Sequence, residues 1–243
     1  MITIRRADTL GSARSDGLTL RCHFAFADYR DPACMHEGRL RAINTGTLPP
    51  GGSYHLGPEA SVDILTWLGS GRVTAHADDF APEDVRAGGL HLASTGRGCR
   101  TLEWTAGADG ASFIQFWLMA DTEGTTPAQE TRAALAQFED GGFTILASGF
   151  PEDDPEESES VSDGAPVTLS ARARLLHAAI AAGEGAAYQT SAGRDLYLVV
   201  VSGTVSIDAS ILHAGDGAAV TDATDLTVIA HEAAVVLLTD VAA

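Results

Sequence analysis

Eight histidines and three cysteines are the residues of this chain best suited to hold a metal or attack a substrate, and their spacing favours neither. Cys22, Cys34 and Cys99 form no C-x-x-C pair and no even set, which reads as free, reduced thiols. Cys99 would need a base beside it to act as a nucleophile, and none is spaced for that, so it reads as a small buried hydrophobe. His36, His76, His177, His213 and His231 are scattered without ligand spacing. His91 lies in an alternating segment and faces either into or out of its sheet. There is no G-x-S-x-G, no Ser/His/Asp order and no glycine-rich loop opening a βαβ helix, so hydrolase and nucleotide-binding chemistry lack support.

The elements that must position these groups read as short strands. Val62 to Leu68, Phe113 to Met119 and Asp195 to Val201 are apolar and rich in strand formers, with Gly69, Gly71, Gly203, Gly215 and Gly217 punctuating the turns. Ala171 to Ile180 has a helical composition but reads as a strand in its β context. Pro127 to Phe138 is predicted as a short helix, with Thr126 as N-cap and Gly141-Gly142 as its stop. Pro151 to Pro166 holds seven acidic residues and reads as a solvated linker. Ile64 to Val73 echoes Leu196 to Val205: an apolar strand, a Ser-Gly turn and a second strand. Two similar barrels in tandem account for this, and the spacing sets them at residues 1–125 and 167–243, with helix and linker over 126–166.

The length of 243 residues is enough for two such units and a substantial core. The net charge is −18 and no lysine occurs; this field repels phosphate backbones and anionic lipid, which argues against nucleic-acid and membrane partners. The N-terminus lacks the apolar run of a signal peptide, and no stretch approaches about 18 apolar residues, so the expected location is cytoplasmic.

Several ordered blocks resemble the pirin family. His23-Phe24-Ala25-Phe26-Ala27-Asp28-Tyr29, Asp31-Pro32, Met35 and Leu40-Arg41-Ala42-Ile43-Asn44 look like its N-terminal signature. Leu48-Pro49-Pro50-Gly51-Gly52, Asp63-Ile64-Leu65-Thr66-Trp67, Ser94-Thr95-Gly96-Arg97-Gly98 and Ile114-Gln115-Phe116-Trp117-Leu118 follow in the family's order, and Gly215 to Val220 matches more loosely. The resemblance implies an all-β bicupin of two barrels of the double-stranded β-helix type. It also implies one divalent metal in the N-terminal barrel, held by three His and one Glu. Some bacterial members resemble quercetin 2,3-dioxygenases, and the eukaryotic branch is associated with transcriptional regulation through protein partners.

Carried over residue by residue, the family's H-x-H pair falls on Gly57 and Glu59, and its His-x-Glu pair on Thr101 and Glu103. Three of the four ligands are therefore replaced. Two carboxylates without imidazole suit a hard ion such as Mg or Ca better than Fe(II), or could share a proton. His55, two residues before Gly57, shares its strand face if the strand is regular, and a bulge could bring it toward the old ligand position. Trp104 should face away from Glu103, and His23 reads as a structural contact. The reading that follows is a bicupin with a degenerate metal site, no metal cofactor and no oxygenase activity. Its pocket would be lined by His55, Gly57, Glu59, Thr101 and Glu103 and would take a small molecule, or the chain would bind a protein partner. The alternative is a metal-dependent dioxygenase with one divalent ion on His55, Glu59 and Glu103, aided by His91. A third possibility is a regulatory partner protein that uses Glu152 to Asp163 as a contact element.

Overall fold

The structure is a computed structural model and describes residues 1–15, 17–35, 38–135, 142–154 and 165–242. The first half of the chain forms β1 (Ile2–Arg5), β2 (Gly11–Ser15), β3 (Leu18–Cys22), β4 (Leu40–Leu48), β5 (Ser53–Leu56), β6 (Val62–Ala77), β7 (Glu83–Arg86), β8 (Leu90–Ser94), β9 (Leu102–Met119) and β10 (Ala128–Arg132). The second half forms β11 (Thr144–Ser148), β12 (Val167–Thr168), β13 (Ala173–Ile180), β14 (Gly185–Gln189), β15 (Arg194–Ser202), β16 (Thr204–Ile207), β17 (Ser210–His213), β18 (Gly217–Val220), β19 (Asp225–Ala230) and β20 (Ala234–Ala242). No helix is long and apolar enough to cross a membrane among the described residues.

Two long strands build the N-terminal barrel. β6 and β9 pair along most of their length, with register shifts at Leu68/Ser70 and Gly71/Val73. At that corner Gly71 has φ +77°, and a Cβ there would meet the Gly110 carbonyl oxygen at 2.1 Å, so only glycine fits the bend. On one side of the corner the strands lie in a sheet of order β10-β8-β6-β9-β4-β3-β2. Beyond it they fold over that sheet, with β5 added on β9 and β7 on β6. The interior is filled by Leu20, Ile64, Leu68, Phe113, Trp104 and Trp117, among others. The C-terminal barrel pairs the sheet β1-β18-β15-β20-β13-β11-β12 with the sheet β14-β19-β16-β17 around an aliphatic core that includes Leu196, Leu198, Val228 and Leu238. A third cluster, from Phe24, Leu65, Trp67 and Phe116 to Leu175, Tyr197 and Leu237, seals the barrels together. Burial of apolar area on this scale is the main stabilising term.

Polar contacts fix how the barrels meet. Asp63 is fully buried, and its Oδ2 accepts the N–H groups of Ser170 at 2.6 Å and Ala171 at 3.1 Å. His23 Nδ1 meets the Tyr197 hydroxyl at 3.0 Å, and Arg5 donates to the His23 carbonyl, which gives His23 the structural part expected of it.

The expected helix from Pro127 does not form. Ala128–Arg132 is a strand paired in register with β8, from Ala128↔Ser94 to Arg132↔Leu90. Helical composition loses here because an edge of the sheet is available and because Arg132 is needed flat against it. Its buried guanidinium donates to the carbonyls of Leu146 at 3.1 Å and Ala165 at 3.0 Å. Residues 136–141, the rest of that segment, lie outside the described residues, as do His36 and most of the acidic stretch, 155–164. Ala173–Ile180 is the strand expected from its context.

Candidate functional site

The five pocket residues expected from sequence do not converge on one point. β5 pairs with β9 so that His55 stands opposite Glu103. Residues opposite one another on antiparallel strands share a face, and His55 Nε2 lies 3.8 Å from Glu103 Oε1. That face is the outer one: the His55 side chain is 67% exposed and that of Glu103 is 38% exposed. Alternation sends Leu102 and Trp104 into the barrel instead, so Trp104 does point away from Glu103. Glu103 Oε1 also accepts from the Thr105 hydroxyl at 2.9 Å.

After β5 the chain turns at Gly57, whose φ of +122° lies where side chains are strained. A Cβ there would sit 2.3 Å from the Arg100 carbonyl oxygen. Glu59 then pairs through its backbone with Cys99, N–H to carbonyl at 2.9 and 2.8 Å. Half-burial raises the Glu59 carboxyl, with Arg41 opposing. Thr101 is held by Asp78, whose Oδ1 accepts the N–H groups of Arg100 and Thr101, each at 2.8 Å, and the Thr101 hydroxyl at 3.3 Å. Desolvation pushes the Asp78 carboxyl up, but the N–H groups of Thr101 and Arg100 outweigh it and hold it below the usual range. Two of these residue pairs are therefore brought together: the side chains of His55 and Glu103, and the backbones of Gly57 and Thr101, where a Cβ on Gly57 would lie 3.3 Å from the Thr101 Cα.

This donor set does not fit the metal that the family resemblance implies. One position has no room for a side chain, one hydroxyl is bonded to Asp78, and the two carboxylates have different neighbours. Among the described residues no group of three or more His, Cys, Asp or Glu is placed to hold an ion. His91 does not join Glu103. It lies on the lumen side of its strand, where Trp104 Nε1 donates to its Nδ1 at 3.3 Å. Burial lowers the His91 imidazole to about 4, with Gln129 opposing, so the ring is neutral.

The lumen itself holds a group of which the sequence reading weighed only Cys22 and His91. In register across five strands stand Cys22, Asn44, Gln115, Thr66 and His91. They share the interior face with Ala42, Phe113, Trp117, Ile64, Leu68 and Ala93. Part of this belt satisfies itself: Gln115 Nε2 donates to the Thr66 hydroxyl at 3.1 Å and Trp117 Nε1 to Gln115 Oε1 at 3.4 Å. Asn44 is 0% exposed, yet neither its Oδ1 nor its Nδ2 has a protein partner, and the buried Tyr54 hydroxyl has none either. Each unpaired buried polar group costs about 1–3 kcal/mol, so three such atoms weigh heavily against a total stability of about 5–15 kcal/mol. The signal was present in the sequence as Thr66 inside VDILTWL, Gln115 inside FIQFWLM and Asn44 inside LRAIN, single polar residues at interior parity in apolar strands.

The C-terminal barrel differs. One end is closed by Arg174 and Arg194, which pair with Asp240 at 3.6 and 3.2 Å and with Glu152 at 3.3 and 2.9 Å. Asp153 adds a contact to Arg174 at 2.5 Å, and both guanidinium groups stack on Phe150. The start of the acidic linker is thus clamped onto this barrel, whereas the sequence reading had it solvated.

Comparison with known proteins agrees with this architecture. The family described as "Quercetinase C-terminal cupin domain" matches residues 158–241. A "Pirin-like protein" of Caulobacter vibrioides is 31% identical over 243 residues, covering 100% of both chains. A "Quercetin 2,3-dioxygenase" of Escherichia coli K12 is 29% identical over 242 residues, covering 99% of this chain and 98% of its own. Among solved structures, the bacterial pirin YhhW of Escherichia coli in complex with nickel(II) superposes with a TM-score of 0.84 at 27% identity, covering 100% of this chain and 99% of its own. With full-length similarity to a pirin-like relative and the same two-barrel fold, this chain belongs to the pirin family of bicupin proteins.

Proposed function

We propose that this protein is a bicupin that binds a small molecule in its N-terminal barrel and has lost metal-dependent oxygenase chemistry. The observation that carries this reading is Gly57. At the position where the family resemblance expects the first histidine, the backbone lies against the Arg100 carbonyl, and a Cβ would approach it to 2.3 Å. A mononuclear oxygenase centre needs imidazoles and a carboxylate with open positions beside them. Of that set this chain keeps Glu103, whose carboxylate is shared with Thr105 and His55 on the outer face. The polar lining of the lumen supports ligand binding as what the barrel still does.

The second reading is a dioxygenase of the quercetin 2,3-dioxygenase type with a rearranged ligand set, and the 3.8 Å approach of His55 to Glu103 favours it. Relatives bearing that enzyme's name, and a pirin solved with nickel(II), give it weight. The deciding experiment is elemental mass spectrometry on untagged protein purified without chelator, followed by quercetin turnover with added Ni, Fe, Mn or Cu. The proposal expects metal far below one equivalent and no metal-dependent loss of quercetin. Near-stoichiometric metal with turnover that falls in His55→Ala would establish the second reading instead.

A further inference from the structure

We propose that the open edge of the C-terminal barrel binds a small protonated amine with an apolar body, at a site separate from the N-terminal lumen. The two sheets of this barrel end on different strands, β1 on one and β17 on the other, and these edges do not pair with each other. Along part of the seam Arg6 laces them. Its guanidinium donates to Asp216 and to the Ile211 carbonyl, each at 2.7 Å, and the Ala7 N–H donates to Asp216 at 2.8 Å. Beside that lacing the seam stays open as a crevice of about 380 Å³. Ile2 and Val220, opposite one another in the β1–β18 register, line it from one sheet, and Ile207 and Leu226 line it from the other. These walls continue the barrel core: Val220, Ile207 and Leu226 belong to it, and Ile2 and Ala223 pack on it. The volume falls in the range of pockets that hold small molecules, roughly 300–1,000 Å³.

The rim sets the sign of the charge. Asp208, in the hairpin turn between β16 and β17, and Asp225, at the start of β19, both line the crevice. Both are exposed, and neither side chain has a hydrogen bond or ion pair among the described residues. Among the described residues lining the crevice there is no Arg or His, and the Met1 amine is taken up by the Thr221 carbonyl. An apolar wall with two unpaired carboxylates at its mouth complements a molecule with an apolar body and an ammonium end. The body leaves water, while the ammonium stays at the hydrated rim and gains two counter-charges. An anion of the same shape would meet two like charges on a chain of net charge −18.

The probe is n-hexylamine, protonated at neutral pH, measured by calorimetry and by methyl NMR shifts on the full-length protein. Hexanoate keeps the body and reverses the charge; methylamine keeps the charge and drops the body. The expected result is saturable binding of hexylamine, with shifts centred on Ile2, Ile207, Val220 and Leu226, and no saturation by hexanoate or methylamine. Affinity should fall about fourfold for each methylene removed between hexylamine and butylamine. Asp208→Asn combined with Asp225→Asn should cost at least tenfold in affinity. That variant should melt with the parent, because both side chains are exposed and Asn suits the φ of +50° that Asp208 adopts in its turn. If it fails to fold, Ala223→Phe, which fills the mouth of the crevice, carries the test and should abolish binding. The proposal is overturned if hexylamine does not bind, if hexanoate binds as tightly, if affinity is indifferent to these variants, or if the shifts centre on the N-terminal barrel.

Discussion

If the old ligand position is closed by the backbone, a histidine put back at Gly57 should damage the fold without restoring a metal site, whereas one put back at Thr101 should be tolerated. At Gly57 the φ of +122° costs a side chain about 1–3 kcal/mol. Moving the Arg100 carbonyl away from a Cβ 2.3 Å distant adds roughly 1–3 kcal/mol as overpacking. The same shift strains the backbone pair between Glu59 and Cys99. Gly57→His should therefore lose about 3 kcal/mol or more. Thr101 is exposed, and the N–H bonds to Asp78 do not depend on its side chain; only the 3.3 Å hydroxyl contact is lost. Thr101→His should stay within about 1 kcal/mol of the parent, as exposed substitutions usually do. Urea unfolding followed by tryptophan fluorescence measures both, with nickel content determined on the folded fractions. A Gly57→His protein as stable as the parent, or one that gains an equivalent of nickel, would refute the argument that this backbone excludes the ligand.

Asp63→Ala strips the acceptor from one buried and one part-buried N–H group at the barrel seam and should cost about 2–4 kcal/mol in the same unfolding assay; a loss below about 1 kcal/mol would show that the seam does not depend on it. Acidification should also weaken the fold. Burial lowers His91 and His177 from 6.5 to about 4 and His23 to about 3, so each stabilises as the neutral ring above pH 6.5, and that contribution is lost progressively as pH falls from 6.5 towards the folded value. At pH 5 the linkage amounts to roughly 2 kcal/mol per histidine, and a stability profile flat between pH 7 and 5 would contradict it.

Local pattern determined much of what was legible in advance. Strand periodicity, glycine turns and the repeated Ser-Gly hairpin specified two β-barrels, since alternation and turn chemistry are properties of neighbours in the chain. The family resemblance implied ligand positions at Gly57, Glu59, Thr101 and Glu103, of which only Glu103 carries the residue the family would place there. The sequence did not reveal which way those positions face. Glu103 lies outward because Leu102 and Trp104 take the interior, and that choice is made by how β5, β6 and β9 pair. Ala128–Arg132 became a strand because β8 offered an edge and the carbonyls of Leu146 and Ala165 offered Arg132 its partners, neither of which a helical propensity can register. The lumen belt is the clearest case. Cys22, Asn44, Thr66, His91 and Gln115 come from five separate segments, and each segment alone shows a polar or thiol residue at interior parity without its partners. Only hydrogen-bond register across the sheet sets them side by side, because a strand fixes the face of each residue but not the partner it meets.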